Sequence, residues 1–261
     1  MLHGHPIALE KEVLRRRIYA PLAYEPVRDT ALVPIVHSEC LALAARFPLV
    51  WRRDRDRTFT FVAVRALLNA QGCQPATARA ILPLILHAYP FMFDPAQPFA
   101  AASRRMLDDV FADQPTDGGA AITTLSGKLG RATTLRLRLL DRIANEHDVT
   151  QAVTDALAAH DLLEPWPLSF TIEGRAIAVP DLFVVRPAAF DGPSPGRLTE
   201  RFGMPCAQML ALHRASLFCA GPLLAAARLY LKASRAEAED RDAGPRDDAP
   251  ANRPAAMMVQ P

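Results

Sequence analysis

No dinucleotide-binding or phosphate-binding signature occurs in this chain. G-x-G-x-x-G and G-x-x-x-x-G-K-[ST] are both missing. "SGKLG", Ser126 to Gly130, sets a lysine between glycines, but it lacks a preceding strand and a Ser or Thr after the lysine. Cysteine is scarce. Cys40, Cys73, Cys206 and Cys219 form no C-x-x-C pair and are widely and irregularly spaced. Four such residues in 261 make no disulfide framework, and reduced, mostly buried thiols are expected. Charge of one sign is lacking too. A formal net charge of +2 is too small for a dedicated nucleic-acid binder, so no nucleic-acid partner is expected.

Long apolar runs are also missing. The most apolar window, Leu217 to Leu231, is short for a bilayer and carries Pro222 and Arg228. The N-terminus "MLHGHPIALEKEVLRRR" has no apolar core of a signal peptide. The expectation is therefore a cytoplasmic protein without a membrane span. Export by a leaderless route stays open.

What is present is core. Half the residues are hydrophobic, enough to bury a large interior without disulfides or metals. Weak helical character is expected from Ala8 to Tyr19. A strand is expected near Leu32 to Val36, a helix over Cys40 to Phe47 and a strand over Phe47 to Trp51. The run "RRDRDR" reads as a turn, and "TFTFVAV" after it as the second arm of a hairpin. Ala78 to Phe93, split by Pro83 and Pro90, reads as a short helix leading into an extended segment. Asp94 to Gly119 reads as a long surface connection, with a helical turn near Met106 to Phe111. Two helices are predicted next, Thr124 to Asn145 and Thr150 to Leu163, the second capped by Asp148 or Thr150.

The stretch "LLEPWPLSFTIEGRAIAVPDLFVV", Leu162 to Val185, then changes period. A residue before proline is pushed out of the α region, so Glu164 and Trp166 should be extended. Leu168, Phe170 and Ile172 alternate with Ser169, Thr171 and Glu173; Gly174 supplies a turn; Ile177 and Val179 continue the alternation. A helix-to-hairpin corner follows, with Trp166 packed over the join and its indole N–H satisfied by Glu164 or a carbonyl. The last ordered element is helical from about Thr199 to Ser234, kinked or divided at Gly221-Pro222. Four prolines and ten charges mark residues 235–261 as a disordered tail. One α+β domain over residues 1–234 results, a mixed or antiparallel sheet with hairpins packed on several helices.

Candidate chemistry is thin. His37 and Cys40 stand three apart and His213 and Cys219 six apart, but neither pair has further ligands nearby in sequence, and Met1-Leu2-His3 could wrap a square-planar metal only by accident. No metal and no cofactor are expected. His87, inside an apolar run beside Tyr89, is the most provocative acid–base candidate, with a buried, hydrogen-bonded imidazole as its ordinary explanation. Glu164, Trp166, His87 and His213 are the binding candidates; no residue is assigned as catalytic.

Four segments carry a resemblance. "VPIVHSECLALAARFPLVWRRD" includes Glu39 and Phe47-Pro48; "ILPLILHAYPFMF" includes Pro83 and Tyr89-Pro90-Phe91; "DLLEPWPLSFTIEG" and "LHRASL" complete the set. Through them the chain resembles the bacterial SapC family over most of residues 5–232. It departs from the family pattern at "NAQGCQPATARA", which stands where the family usually has a Gly-Leu turn, a short polar loop and a tryptophan, and at "LDDVFADQPTDGG", a degraded acidic block. The family name implies a surface-layer association, and its members look like companions of flavin-dependent halogenase-like and cupin-type proteins. The resemblance supplies no catalytic residues. The leading expectation is a non-enzymatic accessory protein that binds a protein or peptide partner through an apolar patch. The alternatives are a surface-layer structural protein and an enzyme built on His87, His213 and carboxylates.

Overall fold

Alternation decides which side of the central sheet each residue serves. The computed structural model describes residues 4–10, 13–68, 73–75, 81–100, 102–172 and 174–242. Its strands are β1 (Pro6–Ala8), β2 (Arg17–Ile18), β3 (Leu32–Pro34), β4 (Leu49–Arg53), β5 (Phe59–Val64), β6 (Phe91–Phe93), β7 (Arg105–Asp108), β8 (Ala120–Ala121), β9 (Leu163–Pro165), β10 (Leu168–Ile172), β11 (Arg175–Val179) and β12 (Leu182–Val185). Its helices are α1 (Glu25–Asp29), α2 (Cys40–Leu43), α3 (Leu84–Ala88), α4 (Arg131–Ala159), α5 (Ser194–Phe202), α6 (Met204–Ser216) and α7 (Ala220–Asp242).

A five-stranded antiparallel sheet in the order β3-β5-β4-β12-β9 forms the centre. Leu49, Trp51, Phe61, Ala63, Phe183 and Val185 point to one face, where α2, the second half of α4, α5 and α6 cover them. Val50, Val62, Val64, Leu182 and Val184 point to the other, under the β10-β11 hairpin and α7. With both faces covered, β12 reads "LFVV" and is buried at every position. A second sheet, β1-β7-β6, packs on the first half of α4 through Leu107, Phe91, Leu140, Ile143 and Ala144. The α+β class expected from sequence is the observed one.

Several local expectations are corrected. The two helices expected between Thr124 and Leu163 are one, α4, with 29 residues. No glycine or proline interrupts Arg131 to Ala159, so nothing forces a break. Thr150 caps nothing there: its hydroxyl bonds the Glu146 carbonyl at 2.9 Å and accepts the His37 N–H at 3.0 Å. Leu163 belongs to strand β9, not to a helix end. The connection after Asp94 holds β7, central to its sheet, where a helical turn was expected. The N-terminal helix expected over Ala8 to Tyr19 is replaced by a short 3-10 turn, Val13–Arg15, flanked by β1 and β2. The C-terminal helix is divided at Gly203, whose φ of 65° suits glycine, and again at a 3-10 turn, Leu217–Cys219, just before Gly221-Pro222. Helix α7 runs on to Asp242, and residues 243–261 lie outside the described residues.

The chain turns at Trp166, but out of strand β9 rather than out of a helix end as expected, and Trp166 is half-buried. β9 is an edge strand, Trp166 N–H still donates to the Leu182 carbonyl at 2.8 Å, and the chain then leaves the sheet to fold β10-β11 over its second face. The two arms obey the expected alternation, with Leu168, Ile172 and Ile177 buried and Ser169 and Thr171 exposed. By length and composition, Met204–Ala236 is apolar enough to cross a membrane. Of its most apolar stretch, 28% is buried, and Cys206, Met209, Leu210, Leu223, Ala227 and Leu231 sit in the core clusters.

Candidate binding cleft

The Tyr89-Pro90-Phe91 segment is tied down from three sides. Arg136 of α4 donates to the Tyr89 carbonyl at 2.8 Å and also to the Tyr19 carbonyl. The Tyr89 hydroxyl donates to Asp108 Oδ2 at 2.6 Å, and Asp108 N–H donates to the Pro90 carbonyl at 2.9 Å. His5 N–H fills the other carboxylate oxygen at 2.9 Å. The Tyr24 ring meets Tyr89 edge to face at 5.1 Å, and its hydroxyl accepts the Tyr19 N–H. Burial, reinforced by the Asp108 bond, raises the Tyr89 phenol far above its ordinary range, and burial raises that of Tyr24. These phenols are therefore fixed neutral groups.

Above this frame lies a cleft of about 480 Å³. One wall runs from Arg15 to Tyr19 and the other from Leu107 to Ala112, with Tyr24 and Pro90 between them. Arg16 pairs with Asp109, and Arg17 holds the Gly118 and Gly119 carbonyls. Arg15 is exposed and has no carboxylate partner among the described residues. Phe111 is 86% exposed at the rim. Fixed cations, an exposed ring and a rigid floor suit recognition of a ligand.

The sequence candidates do not assemble into a site. His213 is 1% exposed and bridges two strands of the central sheet. In register, Val185 would face Leu49; instead the imidazole stands between them. Nε2 accepts the Val185 N–H at 3.2 Å and Nδ1 lies 2.6 Å from the Leu49 carbonyl, so Nδ1 carries the proton. Ser216, one turn on, accepts the Leu49 N–H at 2.9 Å and donates to the His213 carbonyl. Burial lowers the His213 pKa to about 4 and keeps the ring neutral. His87 is not the buried imidazole expected: its side chain points outward from α3. Partial desolvation, with Arg136 nearby, lowers its pKa. Neither histidine lines a described cleft. Glu164 is half-buried and pairs through its backbone with Val184. Trp166 is also only half-buried, packed on the second core cluster. The fully buried indole is that of Trp51, whose N–H donates to Thr154 Oγ1 at 3.1 Å and whose ring meets His213 at 4.8 Å.

Other buried ionisable groups escaped the sequence. Glu39, 6% exposed, accepts N–H bonds from Val36 at 2.9 Å and Leu84 at 2.6 Å. Burial still pushes its pKa up to about 7. Its position three residues after Val36, at the start of a helical turn, was the available signal, since an acid there can reach back to the chain. Arg65 is fully buried and donates to the carbonyls of Val27 and Thr30, which close α1, and to Gln74. A lone arginine ending an apolar strand was its only mark. The segment "GPSPG", Gly192 to Gly196, fits G-x-S-x-G by letters, yet Ser194 opens α5 after a 3-10 turn rather than after a strand. All four cysteines are unpaired, and among the described residues no three His, Cys, Asp or Glu side chains are grouped to hold a metal.

Fold and site together define an α+β protein whose most buried charges brace its own backbone and whose open cleft has an arginine wall. The chain belongs to the SapC family, whose model matches residues 15–218. No curated protein and no solved structure matches it.

Proposed function

We propose that this chain is a non-enzymatic binding or accessory protein that takes a protein or peptide partner in the arginine-walled cleft. One contrast carries the reading. Glu39, Arg65, Asp108 and His213 each direct polar atoms to this chain's own backbone, whereas Phe111 and Arg15 stand unengaged at the cleft rim. Aromatic side chains and arginine are enriched at protein interfaces, and here Arg15 stands on one wall of the cleft and Phe111 on the other. Companionship with flavin-dependent halogenase-like or cupin-type proteins is part of the proposal, as is a cytoplasmic setting, which the unpaired cysteines suit.

Photocrosslinking in the native cell tests it. Benzoylphenylalanine replaces Phe111 in one variant and Leu229, a 70% exposed residue of α7, in another. Adducts to a halogenase-like or cupin-type protein at position 111 alone support the reading. Adducts to envelope polymers would favour the surface-layer alternative. Protein adducts at 229 and none at 111 would remove the cleft from consideration.

A further inference from the structure

The cleft also offers an open main-chain edge. β7 is paired on both sides, by β1 and β6, and these pairings end at Asp108↔Pro6 and Leu107↔Phe91. Asp109 N–H makes one more bond, to the His5 carbonyl. Beyond it, Val110, Phe111 and Ala112 make no main-chain hydrogen bond to the described residues, and pairing resumes only where Asp113 and Gln114 donate to the Ala23 carbonyl. Among the described residues, the main-chain N–H and C=O groups of these three therefore have no hydrogen-bond partner, and all three residues line the cleft of about 480 Å³. Unpaired main chain of this kind is a template for an added strand.

Charge says which strand. Asp109 is neutralised by Arg16, Asp113 by Arg28, and both Asp108 oxygens are filled by His5 N–H and Tyr89 O–H. Arg15 has no acidic partner among the described residues and Arg17 faces only carbonyls. Arg15 and Arg17 thus stand on the wall across the cleft from Val110–Ala112 without a carboxylate partner among the described residues, Arg17 with its guanidinium on the Gly118 and Gly119 carbonyls.

We propose that the cleft takes an extended acidic peptide segment, paired through its backbone with Val110–Phe111–Ala112. An apolar side chain of the segment would lie against Phe111, and its carboxylates would meet Arg15 and Arg17. This rests on the binding reading above and narrows its partner to one chemistry.

Fluorescence polarisation with the full chain tests it. The probe is a labelled, end-blocked peptide Glu-Val-Glu-Phe-Glu-Val, compared with its Lys-for-Glu counterpart and with versions N-methylated along one edge or the other. The acidic peptide should bind, the lysine peptide at least about tenfold more weakly. One N-methylated edge should abolish binding and the other leave it intact. Arg15→Glu and Phe111→Ala, both at exposed side chains, should each weaken binding about tenfold without moving the melting temperature. Equal binding of acidic and basic peptides, indifference to N-methylation, or no binding at about 1 mM peptide overturns the proposal. If position 111 still crosslinks a protein partner in that event, the binding reading survives and only the acidic-strand assignment falls. If both experiments fail, both fall.

Discussion

Two buried residues pull stability in opposite directions as pH changes. His213 has a folded pKa of about 4 against an ordinary 6.5, so the unfolded chain binds its proton first. Its contribution is complete above pH 6.5 and is lost as pH falls through 4. Glu39 has a folded pKa of about 7 against an ordinary 4.5, so the folded chain binds its proton first. Its contribution is complete below pH 4.5 and is lost as pH rises through 7. Each amounts to about 3 kcal/mol, so in the native chain they nearly cancel between those limits. Glu39→Gln leaves the histidine unopposed, and its unfolding free energy, from urea titrations, should rise by about 3 kcal/mol between pH 4 and 6.5. A variant with the profile of the native chain would contradict the assignment. His213 was legible in the sequence as unusual, but its role was not: its two partners lie 164 and 28 residues away, and only the meeting of α6 with a parted strand pair creates it.

At the level of elements, local alternation carried most of the information. The β4-β5 and β10-β11 hairpins were readable because period-two text flanks a turn, Asp54 to Arg57 in one and Gly174 in the other. The corner at Pro165-Trp166-Pro167 was readable because proline restricts its neighbours. β7 was not, since four residues with a charge at each end carry little periodicity and gain their place from β1 and β6. The two tryptophans divide the same way. Trp51 alternates correctly in β4 but looks no different in sequence from Trp166, and only packing makes it the pillar between Thr154 and His213. Trp51→Ala should therefore cost about 3–5 kcal/mol, and Trp166→Ala about 1–2 kcal/mol, by denaturant unfolding. Equal costs would show that the corner ring supports the fold as strongly as the buried one.

Across the molecule, one long helix joins the parts. The second half of α4 covers the central sheet and the first half covers β1-β7-β6, while Arg136 reaches from it to the Tyr-Pro-Phe frame. That arrangement holds the cleft floor rigid and leaves the Val110–Ala112 wall open. The α+β class and the SapC membership were visible in short segments; the cleft was not, because its walls come from residues about a hundred positions apart in the chain. The most direct measurement is quantitative capture of a partner by the native chain and by the double variant Arg15→Glu, Phe111→Ser, with Leu229→Ser as the control. With all three chains melting at the same temperature, the double variant should lose the partner at least about tenfold and the control should retain it. Full retention by the double variant, or loss in the control alone, would contradict the cleft as the place where this protein meets its partner.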